Sequence, residues 1–348
     1  MKKQFLFAIT VLSILIAASV GFLNTVAGQK KSSSGSKDPA TDFRLSGPYI
    51  HKNLTIFLVH GKGILEGHSF LTLQEALAQK QVIVYETKDV NELAIKNLSN
   101  QDIYVQAGDI VRGGDQDRMI STDFIVPPRS GRMPIAAFCV ESGRWNKRGN
   151  EASTSFASSD NSVSTKDLKL AAKLSNSQEA VWAKVAATQD KLSKNLGATV
   201  NASVSRSSLE LSVENPKVKE TTSTYTTALA GIMRGKTDVI GYAFAINGQV
   251  NSADVYASRA LFTKLWPKLL KASAVEAIAE LDDSAKPVPV EQDAIATFMA
   301  ESEKGNVGEQ AVTQRVKLVT RQDERNILFE TRDAQKKGAW VHRNYIKK

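Results

Sequence analysis

The chain has 348 residues, 42% of them hydrophobic, and 45 Lys and Arg against 36 Asp and Glu give a formal charge of +9. One cysteine, Cys139, excludes an internal disulfide framework, so burial alone must hold a chain of this length together. The charge is uneven, because residues 312–348 carry ten Lys and Arg against four Asp and Glu.

Residues 1–28, MKKQFLFAITVLSILIAASVGFLNTVAG, combine Lys2 and Lys3, an apolar run from Phe5 to Leu23, and small residues at Ala27 and Gly28. This pattern predicts an export signal or, if retained, an N-terminal anchor close to the ~20 apolar residues that span a bilayer. A periplasmic or extracellular location is the expectation. Residues 29–48, QKKSSSGSKDPATDFRLSGP, are polar and predict a disordered tether. An ordered domain is expected over 49–281, with 282–348 adding a helix and basic strands to it.

Within that domain LTIFLV, from Leu54, predicts a strand that runs into the glycine-rich turn HGKGILEGH. Phe70 to Ala78 has helical spacing behind Ser69, and QVIVYET, ELAIKNLS and DIYVQAGD predict strands. Met119 to Val126 and Met133 to Val140, joined by PPRSGR, are expected to pair antiparallel. The second run is apolar at both parities and is expected to be covered on both faces. EASTSFASSDNSVST, residues 151–165, predicts a long loop. Ser175 has capping-box spacing to Gln178, ahead of an amphipathic helix carrying Val181, Trp182, Val185, Leu192 and Leu196. A polar stretch from Gly197 to about Lys219 leads to a short helix near 221–232. Two β-type runs then flank Asn247-Gly248, the pair that a type I′ hairpin turn favours. Arg259 to Leu281 predicts a helix that Pro267 kinks or divides. A helix near 290–301 and the strands RVKLVT, RNILFET and GAWVHRN complete the chain. Strands and helices mix without a βαβ rhythm, so the predicted class is α+β, an antiparallel sheet core with packed helices and not a doubly wound parallel sheet.

Five segments in order, AGDIVRGGDQDR, PIAAFCVESGRW, SQEAVWAKVA, VIGYAFAINGQV and LFTKLWPKLLKASAVEA, resemble the ARG and rhodanese-phosphatase superfamily-associated protein domain, where ARG denotes ADP-ribosylglycohydrolase. The resemblance runs from about His51 to Leu281. Its most specific element pairs a Gly-Gly-x-Gln-x-Arg turn (Gly113, Gly114, Gln116, Arg118) with a strand end Cys-Val-Glu-x-Gly-Arg-Trp (Cys139, Val140, Glu141, Gly143, Arg144, Trp145). The family name records an association with ADP-ribose-processing enzymes, so the resemblance implies a link to nucleotide or ADP-ribose metabolism.

Cys139 has apolar company at its parity and none of His51, His60, His68 or His342 near it in sequence, which predicts a buried thiol and not a nucleophile. Glu141, Arg144 and Trp145 place a carboxylate, a planar cation and a flat ring where the strand leaves the core. That set suits a phosphate or carboxylate beside a ring, and equally a Glu–Arg pair that pins the turn with Trp145 as a core plug. In VRGGDQDR, Gly113 and Gly114 allow backbone N–H groups to turn toward an anion, with Gln116, Arg112 and Arg118 beside them. Asp115 and Asp117 read as solvated turn carboxylates, so no metal is expected. His60 and His68 match no zinc signature, and no Ser-His-Asp order stands out along the chain.

These residues predict a ligand-binding or interaction domain for an anionic, nucleotide-like or ADP-ribose-like molecule, lined by Arg112, Gly113, Gly114, Gln116, Arg118, Glu141, Arg144 and Trp145. The alternatives are a hydrolase of a phosphoester or N-glycoside with Glu141 as general acid or base, and a structural envelope protein without a ligand. No cofactor is expected. The basic C-terminal region suits an anionic membrane surface or polyanion, or a solvated charged face, and carries no motif for sequence-specific nucleic acid.

Overall fold

The computed structural model describes residues 43–348 apart from 66, 164, 176, 283 and 285–287; the expected signal and most of the expected tether lie outside it. An eight-stranded antiparallel sheet runs in spatial order β1 (Arg44–His51), β2 (Leu54–His60), β12 (Val239–Ile246), β13 (Gln249–Tyr256), β17 (Ala339–Lys347), β16 (Asn326–Asp333), β15 (Val316–Gln322) and β14 (Asn306–Ala311). A six-stranded antiparallel sheet runs β11 (Phe156–Ser162), β7 (Asp109–Gly113), β8 (Arg118–Ile120), β10 (Met133–Cys139), β5 (Glu92–Asn97) and β4 (Val82–Glu86). A small third sheet holds β3 (Leu71–Thr72), β6 (Ile103–Val105) and β9 (Phe124–Val126). The helices are α1 (Leu73–Ala78), α2 (Lys166–Leu170), α3 (Gln178–Leu196), α4 (Leu209–Val213), α5 (Pro216–Leu229), α6 (Arg259–Ala279) and α7 (Gln292–Ser302). The class is α+β, as predicted.

The six-stranded sheet curls until its edges meet, through a bridge between Tyr85 and Ser155 and a bond from Glu86 N–H to the Thr154 carbonyl. Its interior is filled by Val82, Val84, Leu93, Ile95, Val111, Ile120, Ile135 and Phe156, to which α1 and the small sheet add Leu73, Ala76, Ile103 and Phe124. Each such buried side chain contributes about 1.5–3 kcal/mol. On the large sheet, α6 covers β12 and β13, with the Trp266 ring edge-on to Tyr242 at 5.4 Å and Phe262 stacked near Tyr256.

Local rules hold where a short segment decides. Asn247 and Gly248 take φ of 51° and 75° and join β12 to β13 as the expected hairpin. Elsewhere packing overrides the expectation. Helix α6 passes through Pro267 undivided, because its buried face from Leu261 to Ala279 outweighs a proline penalty of about 3 kcal/mol. The serine-rich stretch expected as a loop contains β11, where Ser159 donates to Glu210 and Asn161 donates to Glu214. Ser177, not Ser175, caps α3, and Thr72 with Glu75, not Ser69, forms the capping box of α1. Helices α4 and α5 begin inside the stretch expected to be polar loop.

The run from Met119 to Val126 splits. Only Met119 and Ile120 pair with β10, while Phe124–Val126 turn away as β9 to pair with β6. Strand β10 is covered on both faces only from Ala137 to Cys139, and Pro134 and Ala136 are exposed. The stretch expected as tether also ends early, because Arg44 to Ser46 pair with β2 and leave no bare edge beside that wholly buried strand. The C-terminal strands lie inside the large sheet, with β17 between β13 and β16. Six of the ten cations in 312–348 (Arg315, Lys317, Arg321, Arg325, Arg332 and Arg343) pair with carboxylates, which leaves Lys336, Lys337, Lys347 and Lys348 without one among the described residues. Among the described residues no helix is long and apolar enough to cross a membrane.

Candidate functional site

The Gly113-Gly114 turn joins β7 to β8 and packs too tightly for any other residue. Gly114 has φ of 56°, and a Cβ there would lie 2.5 Å from Phe156 Cζ and from Glu86 Oε2. On the inner side, Glu86 accepts from the N–H groups of Thr87, Lys88 and Asp115 and from Arg118 Nη2 at 3.2 Å. Arg118 is 1% exposed and also donates to the carbonyls of Val90 at 2.7 Å and Asp89 at 3.2 Å. It is an internal strut, out of reach of a ligand. Gly114→Ala is therefore expected to lose about 2–4 kcal/mol, from left-handed strain plus overpacking. Gly143→Ala, where φ is +80° and none of the described residues lies within 4 Å of the Cβ position, should lose only the strain of about 1–2 kcal/mol. Urea midpoints of the two variants check the ordering.

On the outer side of the turn, Asp117 and Glu141 are both wholly buried. Asp117 accepts from the Gly113 N–H at 3.2 Å, from the Ser208 hydroxyl at 3.2 Å, and from both Nη atoms of Arg148 at 3.0 and 3.2 Å. Glu141 Oε2 accepts from the Asp117 N–H at 3.1 Å and is ion-paired with Arg144, whose Nη2 lies 2.7 Å away. Arg144 Nη1 reaches across to the Gly114 carbonyl at 3.3 Å and locks to the Asn146 carbonyl at 2.6 Å, so this arginine ties the two turns together. Arg148 also pairs with Glu151 at 2.8 Å. Burial favours protonation of Glu141, but the bonds from Arg144 and the Asp117 N–H outweigh it and hold the carboxyl below its usual range. Asp117 moves the other way, pushed up by burial and by the neighbouring Glu141 against the pull of Arg148.

The remaining predicted residues disperse. Arg112 points to the buried Glu210 at 3.9 Å. Gln116 is wholly buried, and among the described residues neither of its amide atoms has a hydrogen-bond partner. Trp145 is neither a core plug nor enclosed, being 55% exposed. Asp115 turns to Lys88 at 2.7 Å while Asp117 turns inward, so the two carboxylates diverge, and neither is simply solvated. Among the described residues no group of three or more metal-ligating side chains occurs. Cys139 is buried, and burial pushes its thiol up to about 11. Its backbone is clamped by Gln178, which accepts from the Cys139 N–H and donates to its carbonyl, both at 2.8 Å.

An open pocket of about 710 Å³ lies between residues 142–149 and 203–207. Of the residues expected to line a site, Arg144 alone does so; Arg148, Lys147, Arg206 and Ser205 join it. Arg144 and Arg148 are fixed from behind by Glu141 and Asp117, whereas Lys147 and Arg206 have no carboxylate partner among the described residues. The density of cations in RWNKR was the one sequence signal for this face.

The chain matches the ARG and Rhodanese-Phosphatase-superfamily-associated Protein domain over residues 42–346, a span that takes in β1 and the C-terminal strands as well as both turns. No curated protein and no solved structure matches it. With a match across nearly all of the described chain, this protein belongs to the ARG and Rhodanese-Phosphatase-superfamily-associated Protein domain family.

Proposed function

We propose that the pocket between residues 142–149 and 203–207 binds a small anionic ligand of the phosphate-bearing, nucleotide-like or ADP-ribose-like class. The supporting observation is its charge arrangement. Lys147 and Arg206 line the space without a carboxylate partner, above two arginines that Asp117 and Glu141 hold in place. Guanidinium groups fixed from behind lose little further side-chain entropy when an anion arrives, and the unpaired cations supply the net positive charge. A volume of about 710 Å³ suits a ligand of nucleotide size.

Binding fits this arrangement better than hydrolysis by Glu141. That carboxylate sits behind Arg144, fully buried, with Oε2 accepting from the Asp117 N–H and ion-paired to Arg144, so it serves to position the arginine. The first 28 residues support an encounter with the ligand outside the cytoplasm. For an anionic surface or polyanion, the cations that remain in the C-terminal region are Lys336, Lys337, Lys347 and Lys348.

Calorimetric titration with ADP-ribose, ATP and pyrophosphate tests the proposal. The exposed Lys147→Ala/Arg206→Ala variant should bind at least tenfold more weakly, because each charge-assisted bond is worth about 1.5–3 kcal/mol. Its melting temperature without ligand should stay unchanged, since neither residue holds the fold together. Failure of the wild-type protein to bind any of the three would reject the reading.

A further inference from the structure

Ser46, His60 and Asp238 stand far apart in sequence, yet the large sheet brings them into one hydrogen-bonded line. Ser46 lies on β1, His60 ends β2, and Asp238 immediately precedes β12. Strand β2 separates β1 from β12, so His60 lies between the other two. Ser46 Oγ is 2.7 Å from His60 Nε2, and His60 Nδ1 is 2.8 Å from Asp238 Oδ1. An ionised carboxylate can only accept, so Nδ1 carries the proton toward Asp238 and the Nε2 lone pair faces the serine hydroxyl. His60 is 4% exposed, which keeps the ring in place, and Asp238 is held on its other oxygen by Arg44 at 2.8 Å. The Tyr49 hydroxyl lies 3.3 Å from Ser46 Oγ.

A pocket of about 370 Å³ opens on the Asp238 side of this line, where Lys62, Gly63 and Arg259 help to line it; Ser46 and His60 are not among its lining residues. We propose that Ser46, His60 and Asp238 form a nucleophilic acyl-transfer site that hydrolyses small carboxylic esters. This site shares no residue with the pocket at Arg144, and the proposal does not depend on that one.

In the first half-reaction Ser46 Oγ attacks the ester carbonyl carbon, its proton passes to His60 Nε2, and the carbonyl electron pair moves onto oxygen. The Tyr49 hydroxyl is placed to donate to that oxyanion. Collapse of the intermediate breaks the bond from carbon to the alcohol oxygen, and the alcohol leaves with the proton from His60. Water then attacks the acyl carbon and gives a proton to His60. Ser46 Oγ is expelled and recovers that proton, and the carboxylic acid departs. Ester and water become acid and alcohol with no change of oxidation state. Asp238, with its side chain half exposed, acts as a positioning residue for the ring.

The test uses the purified chain and a fluorophosphonate, which modifies a serine whose oxygen a neighbouring base activates, with the adduct located by peptide mass spectrometry. Hydrolysis of p-nitrophenyl acetate is followed alongside. Modification at Ser46 is expected in the wild-type protein, and Ser46→Ala should abolish both the adduct and the hydrolysis. His60→Gln should slow modification by at least about 100-fold, the usual worth of a general base. Because His60 is buried, that substitution is paired with Asp238→Asn at the more exposed position. The Asp238 variant should react at least tenfold more slowly and show a shifted pH–rate profile with an unchanged melting temperature. A folded wild-type protein left unmodified at Ser46, or an Asp238→Asn rate and pH profile equal to wild type, overturns the proposal. Lys147→Ala/Arg206→Ala should leave Ser46 labelling intact, so failure at one site is distinguishable from failure at the other.

Discussion

Replacing His342 by leucine is expected to cost about 3–5 kcal/mol near pH 6, because two buried aspartates lose the cation between them. The ring is 2% exposed, with Nδ1 2.7 Å from Asp123 Oδ2 and Nε2 3.0 Å from Asp254 Oδ1. Carboxylates on both nitrogens require both to donate, so the ring is an imidazolium. Asp123 lies between β8 and β9, Asp254 on β13 and His342 on β17, and the cluster therefore fastens the small sheets to the large one. Thr331 and Asn344 add donors to the same aspartates, Tyr256 stacks on the ring at 4.4 Å, and Lys173 reaches Asn344 at 3.3 Å.

The same cluster predicts a pH dependence. Burial works to lower the pKa of His342, but the two aspartates overcome it and raise the value above 6.5. Burial likewise works to raise both aspartates, and the imidazolium beside them brings each below 3.8. A raised base stabilises the fold fully below its unfolded value, here near pH 6.5, and the contribution is lost as pH rises through the folded value. Lowered acids contribute above their unfolded value near 3.8 and lose the contribution as pH falls through the folded values. Urea unfolding of the wild-type and His342→Leu proteins should thus show a gap at about pH 5.5 that narrows as pH rises above 6.5 and through the folded value. A gap of constant size would sink the imidazolium assignment.

Arg148→Met should lose a comparable amount, about 3–5 kcal/mol at neutral pH, at the other end of the molecule's buried charge. Arg148 gives two hydrogen bonds to Asp117 and one to Glu151, and its side chain is 13% exposed. Without it, Asp117 keeps the Gly113 N–H, the Ser208 hydroxyl and the more distant Arg144 at 3.6 Å. Two wholly buried carboxylates would then share one guanidinium. Asp117 is already shifted up, by burial first and Glu141 second, and loss of Arg148 would raise it further. An acid raised on folding destabilises at neutral pH and ceases to do so below its unfolded value, so the deficit should shrink as pH falls toward 3.8. Arg148→Lys keeps the charge without the fork and should fall between the two. In Asp117→Asn/Arg148→Met the losses should be less than additive in a double-mutant cycle, and strict additivity would refute the coupling.

Several features were legible before any fold was known, each for a local reason. The hairpin at Asn247-Gly248 rests on two backbone angles that those residues adopt at little cost. Cys139 is enclosed because its strand is apolar where it ends, and the resemblance carried by the two glycine-bearing turns fixed the family. The turns do meet, through Arg144 and the Gly114 carbonyl. The chemistry of their residues was not legible in the same way. Arg112, Arg118 and Arg144 look alike in sequence, yet one faces Glu210, one is locked inside by Glu86, and one lines a pocket. Strand β11 was hidden because serine and asparagine do not announce a strand; they are held there by Glu210 and Glu214, some fifty residues away.

Ser46 makes the contrast sharpest. It sits in a polar stretch that composition marks as tether, and it becomes a candidate nucleophile only because β1 lies against β2 and places it beside His60. By itself the sequence determined the α+β class, the family, the hairpin and most helices, since these follow from backbone preference and apolar spacing over a few residues. The tertiary structure decided which cations are paired, which carboxylates are buried, and which serine meets a histidine. Those outcomes depend on pairing between strands as distant as Ser46 and Asp238, and burial sets the strength of a charge only after distant segments have closed around it.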